Sequence, residues 1–157
     1  VYSIPGDIVR GCANGHSIAL SESLKYDETL ILEDDADFTP YHDTFGIDLG
    51  SMPQDADAVY LGLSRFGYDE QACLAKYEVI DENFVKLTSM LATHAILYIS
   101  RRYKQHSLEV AQESLARNFP VDVLLAREMH RYNVYALRSP RFYQNCVKHK
   151  RLTLFKI

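Results

Sequence analysis

The chain has 157 residues, of which 47% are hydrophobic, and a formal net charge of −4. This length and apolar fraction predict a single domain over 1–157 with a sizeable buried core. The mild acidity gives no electrostatic case for a nucleic-acid partner, since duplex binders present a basic face. No apolar run approaches the roughly 20 residues of a membrane span, and we expect no transmembrane segment.

The predicted elements of the first half are one helix and two strands. A loop leads into a predicted helix over 11–26, with Asn14 or Ser17 as its cap. Consecutive apolar residues predict a strand within ETLILEDD (28–35) that is covered on both faces. DAVYLGLS (57–64) predicts a second buried strand, and the segment between the two strands reads as a short helix and turn.

The second half continues with a loop, a hairpin, a strand, two helices and a last strand. Their predicted ranges, in this order, are 66–74, 75–89, 93–100, 101–117, 122–130 and 133–140. Strands that alternate with helices favour an α/β fold. We therefore predict a mostly parallel sheet with one inserted antiparallel hairpin.

Three acidic residues, Glu33, Asp34 and Asp35, follow the first predicted strand without a break. Acidic residues after a strand often only solvate a loop or cap the next helix. However, ligands of open α/β sheets bind outside the carboxyl ends of strands. Two carboxylates there, Glu33 and Asp35, can chelate Mg²⁺ or Mn²⁺, and the cation would relieve their mutual repulsion.

Five segments follow one another within about 11–145: GCANGHSIAL, LILEDDADF, VYLG, THAILYIS and PVD. Their order resembles that of the motifs in one glycosyltransferase family, which includes lipopolysaccharide-type galactosyltransferases and procollagen galactosyltransferases. It implies a GT-A type fold, in which a Rossmann-like sheet binds a nucleotide sugar. Family members usually begin with a further strand, helix and strand, so we expect this chain to be a fragment or a short form.

The resemblance also implies roles for the acidic segment. Glu33 and Asp35 match the outer acids of the family's metal-binding motif, and Asp34 matches the middle acid and is a candidate catalytic residue. The implied cofactor is Mn²⁺ or Mg²⁺, and the implied donor is a UDP-hexose. The acceptor would be a carbohydrate, a lipid-linked glycan or a protein.

Three further residues match family positions, and each has an ordinary structural alternative. His16 and His94 match cofactor-binding positions, although Gly15 replaces the usual Ser before His16; either histidine can instead be a satisfied structural residue. Asp122 matches the Asp of Pro-x-Asp and is the candidate general base for the acceptor hydroxyl. It can instead cap a helix.

Weaker candidates lie outside these motifs. Arg65, Phe66 and Tyr68 occupy a loop whose aromatic rings suit sugar stacking, although exposed loop aromatics are common. The basic stretch KHKR (148–151), with His149, suits a diphosphate or is a solvated tail. Asp37 is a weaker alternative base.

The three cysteines are widely spaced along the chain. Cys12, Cys73 and Cys146 lack the spacing of a disulfide framework or zinc site. We expect small buried thiols in a reducing, cytoplasmic compartment. Two alternatives to a glycosyltransferase stay open: a non-catalytic carbohydrate-binding or assembly module of the same fold, and another Mg²⁺ enzyme that acts on phosphate esters.

Overall fold

The computed structural model describes residues 7–38, 49–68 and 74–144. Its helices are α1 (Ile8–Ser23), α2 (Arg101–Arg117) and α3 (Val121–Glu128), with 3₁₀ turns at Leu49–Ser51 and Met129–Arg131. Its strands are β1 (Thr29–Leu32), β2 (Ala36–Phe38), β3 (Ala58–Tyr60), β4 (Lys76–Val79), β5 (Phe84–Ser89), β6 (Ala95–Tyr98), β7 (Val134–Leu137) and β8 (Phe142–Gln144). Each helix in these ranges is too short or too polar to pass through a bilayer.

Six strands form a mixed sheet in the order β1-β6-β3-β7-β5-β4. Among the strands of the described ranges, only β3 and β7 pair in parallel, and every other neighbouring pair of this sheet is antiparallel. The α/β class is confirmed, but the predicted mostly parallel sheet is wrong. The physical reason lies in the connections: among the described residues, α2 and α3 both lie between β6 and β7, and β4 joins β5 through a tight turn, which gives antiparallel neighbours.

The inserted antiparallel hairpin is confirmed as β4 and β5, which pair along Tyr77↔Leu87 to Val79↔Val85. Its turn is closed by Asp81, whose Oδ1 accepts hydrogen bonds from the backbone N–H groups of Asn83 and Phe84, both at 2.7 Å. A short polar side chain that bonds its own turn is a usual reason for Asp at such positions.

The pairing pattern brings several strand ends to one sheet edge. Because β6 is antiparallel to both β1 and β3, these two strands run in the same direction, which β7 shares. The carboxyl ends of β1, β3 and β7 therefore lie at the same end of the sheet as the first residue of β6. The residues that follow β1 and precede β6 meet at this end of the sheet, and the candidate site lies there.

Two apolar layers cover the faces of the sheet. Along β3, Ala58 and Tyr60 belong to the cluster that contains the helices, whereas Val59 and Leu61 belong to the cluster on the opposite face. This alternation follows from the two-residue period of a strand. β3 is thus buried on both faces, as predicted.

Strand β1 differs from its prediction because it lies at the edge of the sheet. Ile31 is buried, but Leu30 and Leu32 are 38% and 44% exposed. Three consecutive apolar residues therefore do not mark a strand covered on both faces here. Strands β2 and β8, which were not predicted, form a separate antiparallel ribbon that follows the acidic segment.

Asp7 caps the N-terminus of helix α1, and its side chain accepts a hydrogen bond from the N–H of Arg10 at 3.0 Å. The predicted caps Asn14 and Ser17 are wrong, because both lie inside the helix. At its other end, the buried Lys104 of α2 donates to the carbonyl oxygens of Tyr26 and Asp27, at 2.7 and 2.8 Å. This amine ties the end of α1 to α2.

Asp57 joins three segments at the other end of the sheet, where β3 and β7 begin. Ser100 Oγ and Arg102 Nε donate to its Oδ1 at 2.5 and 2.7 Å. Arg102 Nη2 and the N–H of Asn133 donate to its Oδ2 at 2.5 and 2.8 Å. The carboxylate thereby fixes the start of β3 to the beginnings of α2 and β7.

Replacing Gly15 by alanine should stabilise the protein by about 1 kcal/mol, because glycine is that much worse than alanine inside a helix. A Cβ at this position would meet no atom within 4 Å. Thermal unfolding should show a rise of about 2–4 °C for a chain of this size. A lower melting temperature would contradict the open surroundings of Gly15.

Candidate functional site

The centre of the site is a contact between His16 and Glu33. His16 lies on the buried side of α1, and its Nε2 is 2.9 Å from Glu33 Oε1. Glu33 directly follows β1, and its N–H donates to the carbonyl oxygen of His94 at 3.0 Å. Thr93 Oγ1 donates to the same Oε1 at 2.5 Å. Two side chains and one backbone bond therefore hold Glu33 in place.

The His16–Glu33 contact is an ion pair at neutral pH. Burial alone would lower the pKa of His16, but Cys12 and Glu33 together raise it to about 9. Burial alone would raise the pKa of Glu33, but hydrogen bonds from His16 and Thr93 outweigh it and lower that pKa. Opposite charges and direct hydrogen bonds favour the charged forms of both groups.

His94 lies under the same segment and is 2% exposed. Burial lowers its pKa, although the charges of Glu33 and Asp35 oppose this effect. The ring is therefore neutral at physiological pH. Its burial favours a supporting role beneath the acidic turn, and direct contact with a cofactor stays a prediction.

Gly62 leaves the space that His94 occupies, since a Cβ there would lie 1.8 Å from His94 Nε2. We expect Gly62→Ala to cost about 1–3 kcal/mol, the usual range for overpacking a core. Urea unfolding would measure this loss. If the clash with the ring is its cause, adding His94→Ala should make Gly62→Ala almost neutral; an undiminished cost in the double variant would contradict the assignment.

Asp35 and Asp34 occupy the turn between β1 and β2 and differ in their surroundings. Asp35 is partly buried, and its Oδ1 is shielded from solvent without a hydrogen-bond partner in the described part of the chain. Burial, together with the charges of Glu33 and Asp34, raises the pKa of Asp35 in spite of a hydrogen bond from Gln144. Asp34 is exposed. A cation bound to Asp35 would offset the repulsion between its carboxylate and those of Glu33 and Asp34.

Asp122 approaches the site from the first turn of α3. Its Oδ1 accepts a hydrogen bond from the N–H of Val123 at 2.8 Å, whereas the helix cap position belongs to Pro120. Burial raises the pKa of Asp122, and the negative charge of Glu33 adds to the rise while the positive charge of His16 opposes it. Asp122 therefore lies within electrostatic range of the central ion pair.

Cys12 is a site residue that the sequence interpretation missed. It is only partly buried, and it precedes His16 by one helical turn. One ligand atom each from Cys12, His16 and Glu33 lies within 4.8 Å of the other two. The signal that was available is the spacing Cys-x₃-His on a predicted helix, because residues four apart share a helix face.

The weaker candidates lie elsewhere. Arg65 and Phe66 are exposed, and Tyr68 packs under Arg127, whose guanidinium carbon is 4.3 Å from the ring centroid. Tyr68 and Arg127 line a groove of about 340 Å³ that includes none of the acidic segment. Asp37 is exposed. The basic stretch 148–151 with His149, and also Cys73 and Cys146, lie outside the described residues.

Comparisons of the chain with known protein families, with curated proteins and with solved structures gave no match.

Proposed function

We propose that the protein is a metal-dependent glycosyltransferase of the GT-A type, which moves a sugar from a UDP-hexose to a hydroxyl of a glycan, lipid-linked or protein acceptor. One observation carries the proposal: residues from separate segments meet at the acidic turn after β1. His16 Nε2 and the carbonyl oxygen of His94 both contact Glu33, and the Asp122 carboxylate interacts electrostatically with Glu33 and His16. Each of these residues matches a motif position in the sequence resemblance, and such motifs are far apart in the chain.

The finer fold assignment is part of the same proposal. Strands β1, β3 and β7 run in one direction and present their carboxyl ends at the edge where the acidic turn lies. Ligands of α/β sheets bind at such edges. This arrangement supports a Rossmann-like nucleotide-sugar site in a mixed sheet, although only one pair of neighbours is parallel.

The residues present fit a hard divalent cation. Glu33 and Asp35 offer carboxylate oxygens, the ligand type that Mn²⁺ and Mg²⁺ take. The Oδ1 of Asp35, which is shielded and has no hydrogen-bond partner among the residues that the structure describes, is the observation that favours a cation. When bound, the cation would neutralise the donor diphosphate and the charge that builds on the leaving group.

The remaining residues would orient the metal ligand Glu33 and accept the proton of the acceptor hydroxyl. His16 and Thr93 fix Glu33 through its Oε1, which leaves Oε2 for the cation. Asp122 would accept the proton of the acceptor hydroxyl as that oxygen attacks the sugar carbon. A raised pKa suits this role, because a general base works best when its pKa approaches the working pH.

Isothermal titration of UDP in the presence of Mn²⁺ tests the proposal. The wild type should bind UDP in a Mn²⁺-dependent manner, and Glu33→Gln with Asp35→Asn should abolish the binding. The matched control is Asp27→Asn with Glu28→Gln, because this exposed pair lies at the opposite end of β1. Unfolding curves should show that both double variants are folded.

The outcomes separate the competing functions. Equal UDP binding in the wild type and the double site variant would show that Glu33 and Asp35 do not bind the cation. Absence of nucleotide binding in the wild type would favour a non-catalytic carbohydrate module. Release of sugar from a UDP-hexose, dependent on Mn²⁺ and on Asp35, would support an active transferase.

A further inference from the structure

We propose that Cys12, His16 and Glu33 form a second cation site, which takes a thiophilic divalent ion of the Zn²⁺ class. The site shares Glu33 with the hard-cation site but takes Cys12 and His16 in place of Asp35, and it does not rest on glycosyltransferase activity. Its evidence is the grouping of a thiol, an imidazole and a carboxylate whose ligand atoms lie within 4.8 Å of one another.

The scaffold of this site is rigid on both sides. Cys12 and His16 lie four residues apart on the 16-residue helix α1, so both side chains project from the same face. Glu33 is fixed across from them by its backbone bond to His94. Zn²⁺ ligands lie about 2.0–2.3 Å from the ion, which places ligand atoms roughly 3.3–3.8 Å apart. The present separations, from 2.9 Å for His16 Nε2 to Glu33 Oε1 up to at most 4.8 Å, span this range.

The burial and bonding of His16 also suit a metal ligand. The residue is 5% exposed, and its Nδ1 has no hydrogen-bond partner in the described part of the chain. Its Nε2 is bonded to Glu33, so a proton now holds together two groups that a cation would also hold. A metal ion in place of this proton would bridge the same two groups, His16 and Glu33, so the Glu33 carboxylate would not be left without a partner.

Two further features favour a metal over a purely structural ion pair. Cys12 is only partly buried, which provides a route for an ion from solvent. Thr93 donates to Glu33 at 2.5 Å and would stay bonded as an outer partner that orients the carboxylate ligand. Ligands at metal sites commonly have such partners.

The ligand set selects the chemical class. A thiolate and an imidazole favour Zn²⁺ over Mg²⁺ or Mn²⁺, which prefer oxygen ligands. Three protein ligands leave a fourth tetrahedral position for water or for an atom of a bound molecule. The Asp35 carboxylate is not a member of this set, which allows the two sites to be tested separately.

Titration of the full chain with Co²⁺, a spectroscopic substitute for Zn²⁺, tests the thiolate ligand directly. The wild type should develop a thiolate-to-Co²⁺ charge-transfer absorption at one equivalent, and excess Zn²⁺ should remove it. Cys12→Ser should abolish the band and weaken Zn²⁺ binding at least about 100-fold in competition with a chromophoric chelator. Thr93→Val should weaken it about 10-fold to 100-fold, the usual effect of losing an outer partner.

Matched variants separate this site from background thiols and from the hard-cation site. Cys73→Ser and Cys146→Ser should keep the band, as should Asp35→Asn. Cys12→Ser should keep any Mn²⁺-dependent UDP binding, so a failure of either proposal is visible by itself. Circular dichroism of Cys12→Ser establishes that it is folded. A missing band in the wild type, or a band that persists in Cys12→Ser, would overturn the proposal.

Discussion

Replacing Asp57 by asparagine should lower the free energy of unfolding by about 2–4 kcal/mol. Asp57 is 2% exposed and accepts four hydrogen bonds. Hydrogen bonds to charged groups contribute about 1.5–3 kcal/mol each, and an asparagine amide would turn a donor toward Arg102 or the N–H of Asn133. The total loss stays well below the sum of four such bonds because the Arg102 side chain is 62% exposed and its charge is therefore screened by water.

The loss should also change the response to acid. Burial alone would raise the pKa of Asp57, but hydrogen bonds from Arg102, Ser100 and Asn133 outweigh it and lower that pKa. A lowered pKa contributes stability that is fully present above the unfolded-state value of about 3.9. This contribution disappears as the pH falls through the folded-state pKa. Asp57→Asn should therefore be less sensitive to acid than the wild type.

Urea unfolding at neutral pH and in the acid range measures both effects. Asp55→Asn is the matched control, because Asp55 is exposed and accepts one hydrogen bond, from Tyr135 Oη at 2.9 Å. That control should lose less than about 1 kcal/mol. Equal losses in the two variants would show that the four bonds of Asp57 contribute nothing beyond those of an ordinary surface carboxylate.

The second large effect concerns catalysis. If Asp122 is the general base, Asp122→Asn should reduce sugar transfer by about 10²-fold to 10⁴-fold, the range for losing general acid–base help. Asparagine retains a carbonyl oxygen that can accept the bond from Val123. Stability and donor binding should therefore stay close to those of the wild type, so the effect appears in kcat.

Two comparisons make this test specific. Asp122→Ala loses both the base and the bond to Val123, and should fall in stability as well as activity. Asp34→Asn and Asp37→Asn remove the alternative bases, which are exposed, and should leave most of the activity. If Asp122→Asn transfers sugar at the wild-type rate, the residue only supports the first turn of α3. If Asp34→Asn is the inactive variant instead, Asp34 is the general base.

Local patterns in the sequence predicted local elements well. Helix α2 was predicted with the bounds 101–117, and the β4–β5 hairpin was predicted from two strand-like runs around Asp81. Strand directions were not predictable from such patterns, because pairing joins residues distant in sequence. The three-residue strands β2 and β8 are too short to show any periodicity of their own.

The candidate site was predicted in part for the same reasons. The motifs singled out His16, Glu33, His94 and Asp122; the structure places His16 and His94 against Glu33, and the functional roles of all four stay predictions. The part that Cys12 plays could not be inferred from its distance to the other cysteines, because its neighbours in space are a histidine on its own helix and a carboxylate beyond β1. The spacing to His16 was the only local sign.

The position of β7 has a consequence for how the chain folds. Strand β7 lies in the middle of the sheet, between β3 and β5, although it follows all the other strands of this sheet in the sequence. A nascent chain that has not yet released β7 can form only the two half-sheets β1-β6-β3 and β5-β4, each with an open inner edge. Pairing of Ala58 with Val134 must then close a long loop, which makes folding slow. Nascent chains that stop short of β7 are therefore expected to expose strand edges and to need chaperones.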